Sequence, residues 1–139
     1  SLAFAAARLG MKLVIASPKG YELDADSIAT ANQISAGAVT QLGDPKAAVK
    51  NADVIYTDTW VSMGQEHEKQ ERLKHFAGFC VDGALLRAAP KSMIMHCLPA
   101  YRECEISDEA MESPNSIVFD QSENRLHFQR ALLKKLIVG

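Results

Sequence analysis

The sequence predicts an α/β domain, a doubly wound parallel sheet in a three-layer αβα arrangement. Two observations carry that expectation. Helical stretches alternate with short apolar runs along the whole chain. Those runs are β-branched and nearly continuous rather than alternating with polar residues, which is the pattern of strands covered on both faces.

The elements follow in order. Residues 2–9 are Ala-rich and read as a helix stopped by Gly10. Residues 12–16 (KLVIA) form the first apolar run, broken by Ser17-Pro18-Lys19-Gly20. Residues 26–36 read as a helix closed by Gly37, and residues 38–42 as a second strand. Gly43-Asp44-Pro45 opens a short helix, with Asp44 as N-cap and Pro45 at the first helical position. Residues 53–57 (DVIYT) give a third strand, residues 65–76 a polar helix and residues 82–88 a shorter one. Residues 92–96 (SMIMH) and 116–119 (SIVF) read as the fourth and fifth strands. Residues 123–137 make a final helix with apolar positions Leu126, Phe128, Leu132, Leu133, Leu136 and Ile137. The order is Rossmann-like, without an internal repeat.

Composition narrows the function. Fifteen basic against seventeen acidic residues leave a net charge of -2, which argues against a nucleic-acid footprint or a polybasic membrane surface. No apolar run approaches the roughly 20 residues of a transmembrane helix. Cys80, Cys97 and Cys104 are odd in number and match neither a disulfide framework nor a CxxC metal site, so they read as free thiols of a cytoplasmic protein. His67, His75, His96 and His127 are scattered, and no zinc pattern exists. Neither GxGxxG nor a Walker A loop is present, which removes support for dinucleotide and P-loop NTPase readings.

Parallel sheets place ligands beyond the carboxyl ends of their strands, so the residues after each strand matter most. The third strand is followed by Asp58-Thr59-Trp60-Val61-Ser62-Met63-Gly64-Gln65-Glu66, the fourth by Cys97-Leu98-Pro99-Ala100, and the fifth by Asp120-Gln121-Ser122-Glu123-Asn124-Arg125. An acid, a thiol and an arginine are thus expected on one rim. Each has a plain structural alternative. Ser62 and Gln65 form a capping box, Asp58 serves loop amides, Trp60 packs, Cys97 is a small buried hydrophobe and Arg125 is a surface cation.

The rim segments resemble the ornithine carbamoyltransferase family. Residues 58–66 are similar to its DxWxSMGQE signature, His96-Cys97-Leu98-Pro99 to its HCLP signature, and residues 119–125 to its closing FxxxENR segment. Residues 16–21 (ASPKGY) resemble its TPKGY strand end. The resemblance covers essentially the whole chain and implies transfer of a carbamoyl group from carbamoyl phosphate to the δ-amine of L-ornithine, giving citrulline and phosphate without metal or organic cofactor. It implies catalytic roles for Cys97, Arg125 and Asp58. Asp58, Ser62 and Met63 would hold ornithine, with Ser62-Met63-Gly64 a loop that closes over it. Cys97 would sit beside the δ-amine. The carbonyls of Cys97 and Leu98, presented by a cis Leu98-Pro99 bond, would accept from the carbamoyl NH2. Arg125 would contact the carbamoyl oxygen. Asp58 beside Cys97 suits a diamino acid better than aspartate, and Ser62-Met63-Gly64 favours ornithine over putrescine or N-acetylornithine. No role transfers to Tyr101 or Cys104.

The resemblance also implies parts outside this sequence. The family's S-T-R-T-R and H-P-x-Q carbamoyl-phosphate motifs are not in the chain. Opening on Ser1 in a helical pattern, the chain is expected to begin just after the first, central strand of the ornithine domain, so the sheet is expected to lack that strand. Residues 1–121 are expected to form the ornithine-binding domain and residues 122–139 a helix that packs on a carbamoyl-phosphate domain not in the chain, in an enzyme that is a homotrimer. Other readings are a related carbamoyltransferase acting on another amine and a non-catalytic amino-acid-binding module.

Overall fold

A computed structural model describes residues 1–61, 64 and 66–139. Helix α1 (Leu2–Arg8) leads into strand β1 (Leu13–Ala16), helix α2 (Ala25–Ile34), strand β2 (Val39–Leu42), helix α3 (Pro45–Ala48) and strand β3 (Val54–Thr57). A 3-10 turn (Glu66–Glu68) then runs into helix α4 (Lys69–His75). Helix α5 (Gly83–Ala88), strand β4 (Met93–His96), helix α6 (Asp108–Met111) and the long helix α7 (Val118–Val138) complete the chain.

Local chemistry sets most helix starts. The first turn of a helix has backbone N–H groups with no intrahelical acceptor, and a short oxygen-bearing side chain supplies one. Asp24 accepts from Ser27 N at 2.8 Å, Asp44 from Lys46 N at 2.9 Å, Asp82 from Leu85 N at 2.9 Å and Ser107 from Ala110 N at 3.1 Å. Pro45 follows its cap at a position where a missing N–H costs nothing. Helix α5 packs Leu85 into the core, so its cap carries weight: Asp82→Ala is expected to lower the unfolding free energy by about 1 kcal/mol, read as a shift in the urea midpoint at unchanged slope.

Among the described residues, all four strands pair in parallel, as the near-continuous apolar runs predict. They form two ladders rather than one continuous sheet. β1 lies beside β2 with Leu13 opposite Val39, and β3 lies beside β4 with Val54 opposite Met93 and Thr57 opposite His96. Each ladder has its own core. Ala3, Ala7, Ala31, Ala38 and Val39, with Phe4, Leu13 and Ile15 against them, pack around the first. Ile55, Val81, Leu85, Ile94, Ile106, Ala110, Met111 and Val118 pack around the second. An aromatic group joins the loop after β1 to α4. The Tyr21 ring meets Phe76 edge-on at 4.9 Å, its hydroxyl lies 3.1 Å from His75 Nδ1, and the Arg72 guanidinium sits over it. Trp60 stacks on Phe76 and its carbonyl accepts from Arg72, which is the packing role its plain reading gives it.

Three expectations change. The apolar run at residues 116–119 is not a fifth strand. Ser116 makes a single parallel bridge to Ile94, Ile117 N donates to Ile94 O at 2.9 Å, and the backbone turns helical at Val118. A four-residue apolar run has no periodicity of its own to choose strand over helix. Val118 reaches full burial as the first residue of α7, so the core is filled without extending the ladder. Consequently Asp120, Gln121 and Ser122 lie on a helix rather than in a loop after a strand. The helix predicted at 123–137 starts five residues earlier, and the expected division between residues 121 and 122 falls inside it. Of the polar helix predicted at 65–76, Gln65 lies outside the described residues, and the rest forms a 3-10 turn (Glu66–Glu68) followed by α4 (Lys69–His75).

Candidate active site

The site grows out of the β3–β4 register. Because Thr57 lies opposite His96, the next residues on each strand, Asp58 and Cys97, leave the sheet side by side. Cys97 Sγ donates to Asp58 Oδ1 at 2.8 Å, and Thr59 N donates to the same oxygen at 2.7 Å. Burial and the hydrogen bond to the Asp58 carboxylate hold the Cys97 thiol above its ordinary range, while a hydrogen bond from Tyr56 pulls the other way. The sulfur is therefore poised as a protonated donor to a carboxylate, not as a thiolate nucleophile. Asp58 and Tyr56 also line an open cleft of about 580 Å³ with Ser1, Leu2 and Ala5 of α1.

The segment after Cys97 is held from beneath by two buried side chains. His96 Nδ1 accepts from Leu98 N at 2.8 Å, which leaves Nε2 to donate to Glu105 Oε1 at 3.1 Å. The same Glu105 oxygen accepts from Tyr101 N at 2.6 Å. Both side chains are about 1% exposed or less. One His–Glu pair thus pins the turn at its start and at its end. Within it the Leu98-Pro99 bond is cis, as the resemblance implies, and Leu98 sits at φ 52, a left-handed conformation that costs a residue with a Cβ about 1 kcal/mol or more. Polar groups of this kind are tolerated in a core only when paired, and here each is.

The other expected residues fall as follows. Gln121 on the first turn of α7 accepts from His96 N at 3.0 Å, which ties α7 to the end of β4. Arg125 lies one turn further along the same face, about 6 Å on, and is exposed. Among the described residues it makes no recorded hydrogen bond to Asp58 or Cys97. Ser62 and Met63, with Gln65 of the capping box, lie outside the described residues. Cys80, Cys97 and Cys104 are free thiols, and burial pushes Cys80 up to about 11. Among the described residues no group of three or more His, Cys, Asp or Glu is placed to hold a metal ion, and no helix is long and apolar enough to cross a membrane.

Four residues of this constellation carry no role in the sequence reading: His96, Glu105, Tyr56 and Gln121. The available signal was thin. Glu105 stands in Cys104-Glu105-Ile106, an acid beside a core residue, and a buried acid needs a partner.

Comparison with known proteins decides the family. Residues 1–136 match the family model "Aspartate/ornithine carbamoyltransferase, Asp/Orn binding domain". The chain belongs to the aspartate/ornithine carbamoyltransferase family. Within this family it is 52% identical over 131 residues to an ornithine carbamoyltransferase of Methanoculleus marisnigri, a match covering 94% of this chain and 42% of that protein. It is 50% identical over 143 residues to one of Thermococcus kodakarensis, covering 100% of this chain and 45% of the relative. The solved ornithine carbamoyltransferase of Pyrococcus furiosus superposes with a TM-score of 0.89 at 51% identity, over 96% of this chain and 44% of that one. The chain thus spans less than half the length of the carbamoyltransferases it matches.

Proposed function

We propose that this chain supplies the ornithine-binding part of an ornithine carbamoyltransferase, transferring a carbamoyl group from carbamoyl phosphate to the δ-amine of L-ornithine. The observation that carries the reading is the Cys97–Asp58 pair at the ends of two neighbouring parallel strands, 2.8 Å apart, beside a turn held at both ends by His96 and Glu105.

The chemistry follows from what such groups do. Asp58 offers the negative charge that an ornithine ammonium needs, and Ser62 and Met63 complete the hold on the amino acid. The δ-ammonium loses a proton toward the thiol–carboxylate pair, and the neutral nitrogen attacks the carbamoyl carbon. The carbon–oxygen bond to phosphate breaks, phosphate departs with the electron pair, and the nitrogen sheds its second proton. The carbonyls of Cys97 and Leu98 accept from the carbamoyl NH2 and fix its plane. Arg125 stabilises the oxygen on which charge builds in the transition state. The phosphate is held by a carbamoyl-phosphate domain outside this sequence, against which residues 122–139 pack, in a homotrimeric assembly. The exposed Leu126, Phe128, Leu133, Leu136 and Ile137 on α7 support that docking role, and three free cysteines support a cytoplasmic setting.

The test is a whole enzyme assembled on this chain, with residues 1–139 joined behind the part of the Pyrococcus furiosus protein that the match leaves uncovered. It is expected to form citrulline from ornithine and carbamoyl phosphate, and residues 1–139 alone to form none. A folded assembly that makes no citrulline overturns the reading. A solved N-acetyl-L-ornithine transcarbamylase also superposes, with a TM-score of 0.83 at 32% identity. N-acetylornithine is therefore tested beside ornithine in the same assay, and its use in preference to ornithine would move the assignment to that relative.

A further inference from the structure

We propose that Gln121 is a positioning residue for Arg125, setting where the arginine stands relative to Cys97 and the turn that follows it. Along a strand, successive N–H groups point to opposite edges. Met93 N donates toward β3, to Asp53 O at 2.9 Å, so the N–H groups of Ile94 and His96 point to the outer edge of β4. The first of these has backbone partners. Ile94 N donates to Asn115 O at 2.9 Å, and Ile94 O accepts from Ile117 N at 2.9 Å. A parallel ladder continued from there would bring His96 N to Ile117 O. That carbonyl is already taken, because it accepts from Gln121 N at 2.8 Å as α7 begins. The Gln121 side chain supplies the replacement, its carboxamide oxygen accepting from His96 N at 3.0 Å. One residue thus diverts the chain from strand to helix with its backbone and closes the abandoned rung with its side chain.

The place of this bond gives it its task. His96 is held on three sides: its N–H by Gln121, its Nδ1 by Leu98 N at 2.8 Å and its Nε2 by Glu105 at 3.1 Å. The next residue is Cys97. The helix that carries Arg125 and the turn that carries Cys97 and Leu98 are therefore referenced to the same residue. Arg125 follows Gln121 by four positions, one turn along the same face of α7. A rotation or slide of the helix moves both together, and the bond to His96 opposes it. Val118 anchors the start of α7 through full burial, but apolar contact is non-directional and does not set the rotation of a helix as a hydrogen bond does. The Gln121 oxygen is engaged with the strand, so this residue acts on the reaction through Arg125.

The catalytic part of this inference rests on the proposed carbamoyl transfer, and the tie between helix and strand is read without it. In the whole enzyme assembled on this chain, hydrogen exchange of the peptide spanning residues 93–98 is followed by mass spectrometry, and citrulline formation by steady-state kinetics. Gln121→Met keeps the length of the side chain and removes the acceptor. It is expected to speed exchange of the His96 amide about tenfold or more. It should also lower kcat about 10- to 100-fold and leave KM for ornithine within about twofold, because a misplaced group at the reacting centre costs rate rather than binding. Gln121→Glu keeps an oxygen at the same place and should recover most of both. In an Arg125→Lys background, Gln121→Met should cost less than about threefold more, since the residue it positions has already changed. Unchanged exchange in Gln121→Met overturns the proposal. So does faster exchange with full kcat, or a loss that simply multiplies with that of Arg125→Lys. A parent assembly that makes no citrulline overturns the carbamoyltransferase reading instead, and exchange of the His96 amide then decides the tie alone.

Discussion

Asp58→Asn in the assembled enzyme is expected to reduce kcat/KM for ornithine about 100-fold or more, the equivalent of roughly 2.7 kcal/mol. The substitution keeps the shape of the side chain, and the amide oxygen still accepts from Thr59 N. What it removes is the charge that an ammonium pairs with and the strong acceptor for the Cys97 thiol. The loss should therefore fall on ornithine and leave KM for carbamoyl phosphate unchanged. A second readout has the opposite sign. The carboxylate raises the Cys97 pKa through its hydrogen bond and its charge, so without it the thiol ionises at lower pH. Alkylation of Cys97 at a fixed pH should therefore accelerate in Asp58→Asn. Unchanged ornithine kinetics would remove Asp58 from the site.

Glu105→Leu is expected to be the most destabilising single change at the site. It deprives the buried His96 Nε2–H and the part-buried Tyr101 N–H of their common acceptor. Each orphaned donor costs about 1–3 kcal/mol, so the loss is about 2–6 kcal/mol, read from urea unfolding followed by fluorescence of Trp60. Glu105→Gln retains an oxygen that can accept and should recover a large part of the loss. Since the pair pins both ends of the turn at Cys97 and Leu98, the Leu variant should also lose activity under conditions where it remains folded. A Leu variant as stable as the parent would mean that the pair does not hold the turn.

Much of the architecture was legible because local chemistry determined it. Asp44-Pro45 and Asp82 announce helix starts through groups that act within three residues, and the runs at residues 12–16 and 53–57 are apolar throughout because both faces of a parallel strand are covered. The run at 116–119 misled because its fate depends on something distant. The edge of β4 accepts only one bridge there, and Val118 finds its burial by starting a helix. The site divides in the same way. Asp58 and Cys97 could be read as neighbours, since each follows a strand and parallel register sets them side by side. Arg125 could be assigned to the rim and to its helix, but not the start of that helix at Val118. His96, Glu105 and Gln121 were not legible as a set, because their partners lie 9 or 25 residues away and the directions of their hydrogen bonds exist only once the chain has folded.

The two ladders described above have a consequence for how the molecule opens. Each has its own enclosed set of side chains, and the principal aromatic link between them is the group around Tyr21 and Phe76. Segments packed around separate cores can open with different free energies. Asp58, Cys97, His96, Glu105 and Gln121 all belong to the unit around β3 and β4. Unfolding of the unit around α1, β1, α2 and β2 therefore need not disassemble the reacting groups. It removes one wall of the cleft, formed by Ser1, Leu2 and Ala5, and leaves the thiol and its carboxylate in place.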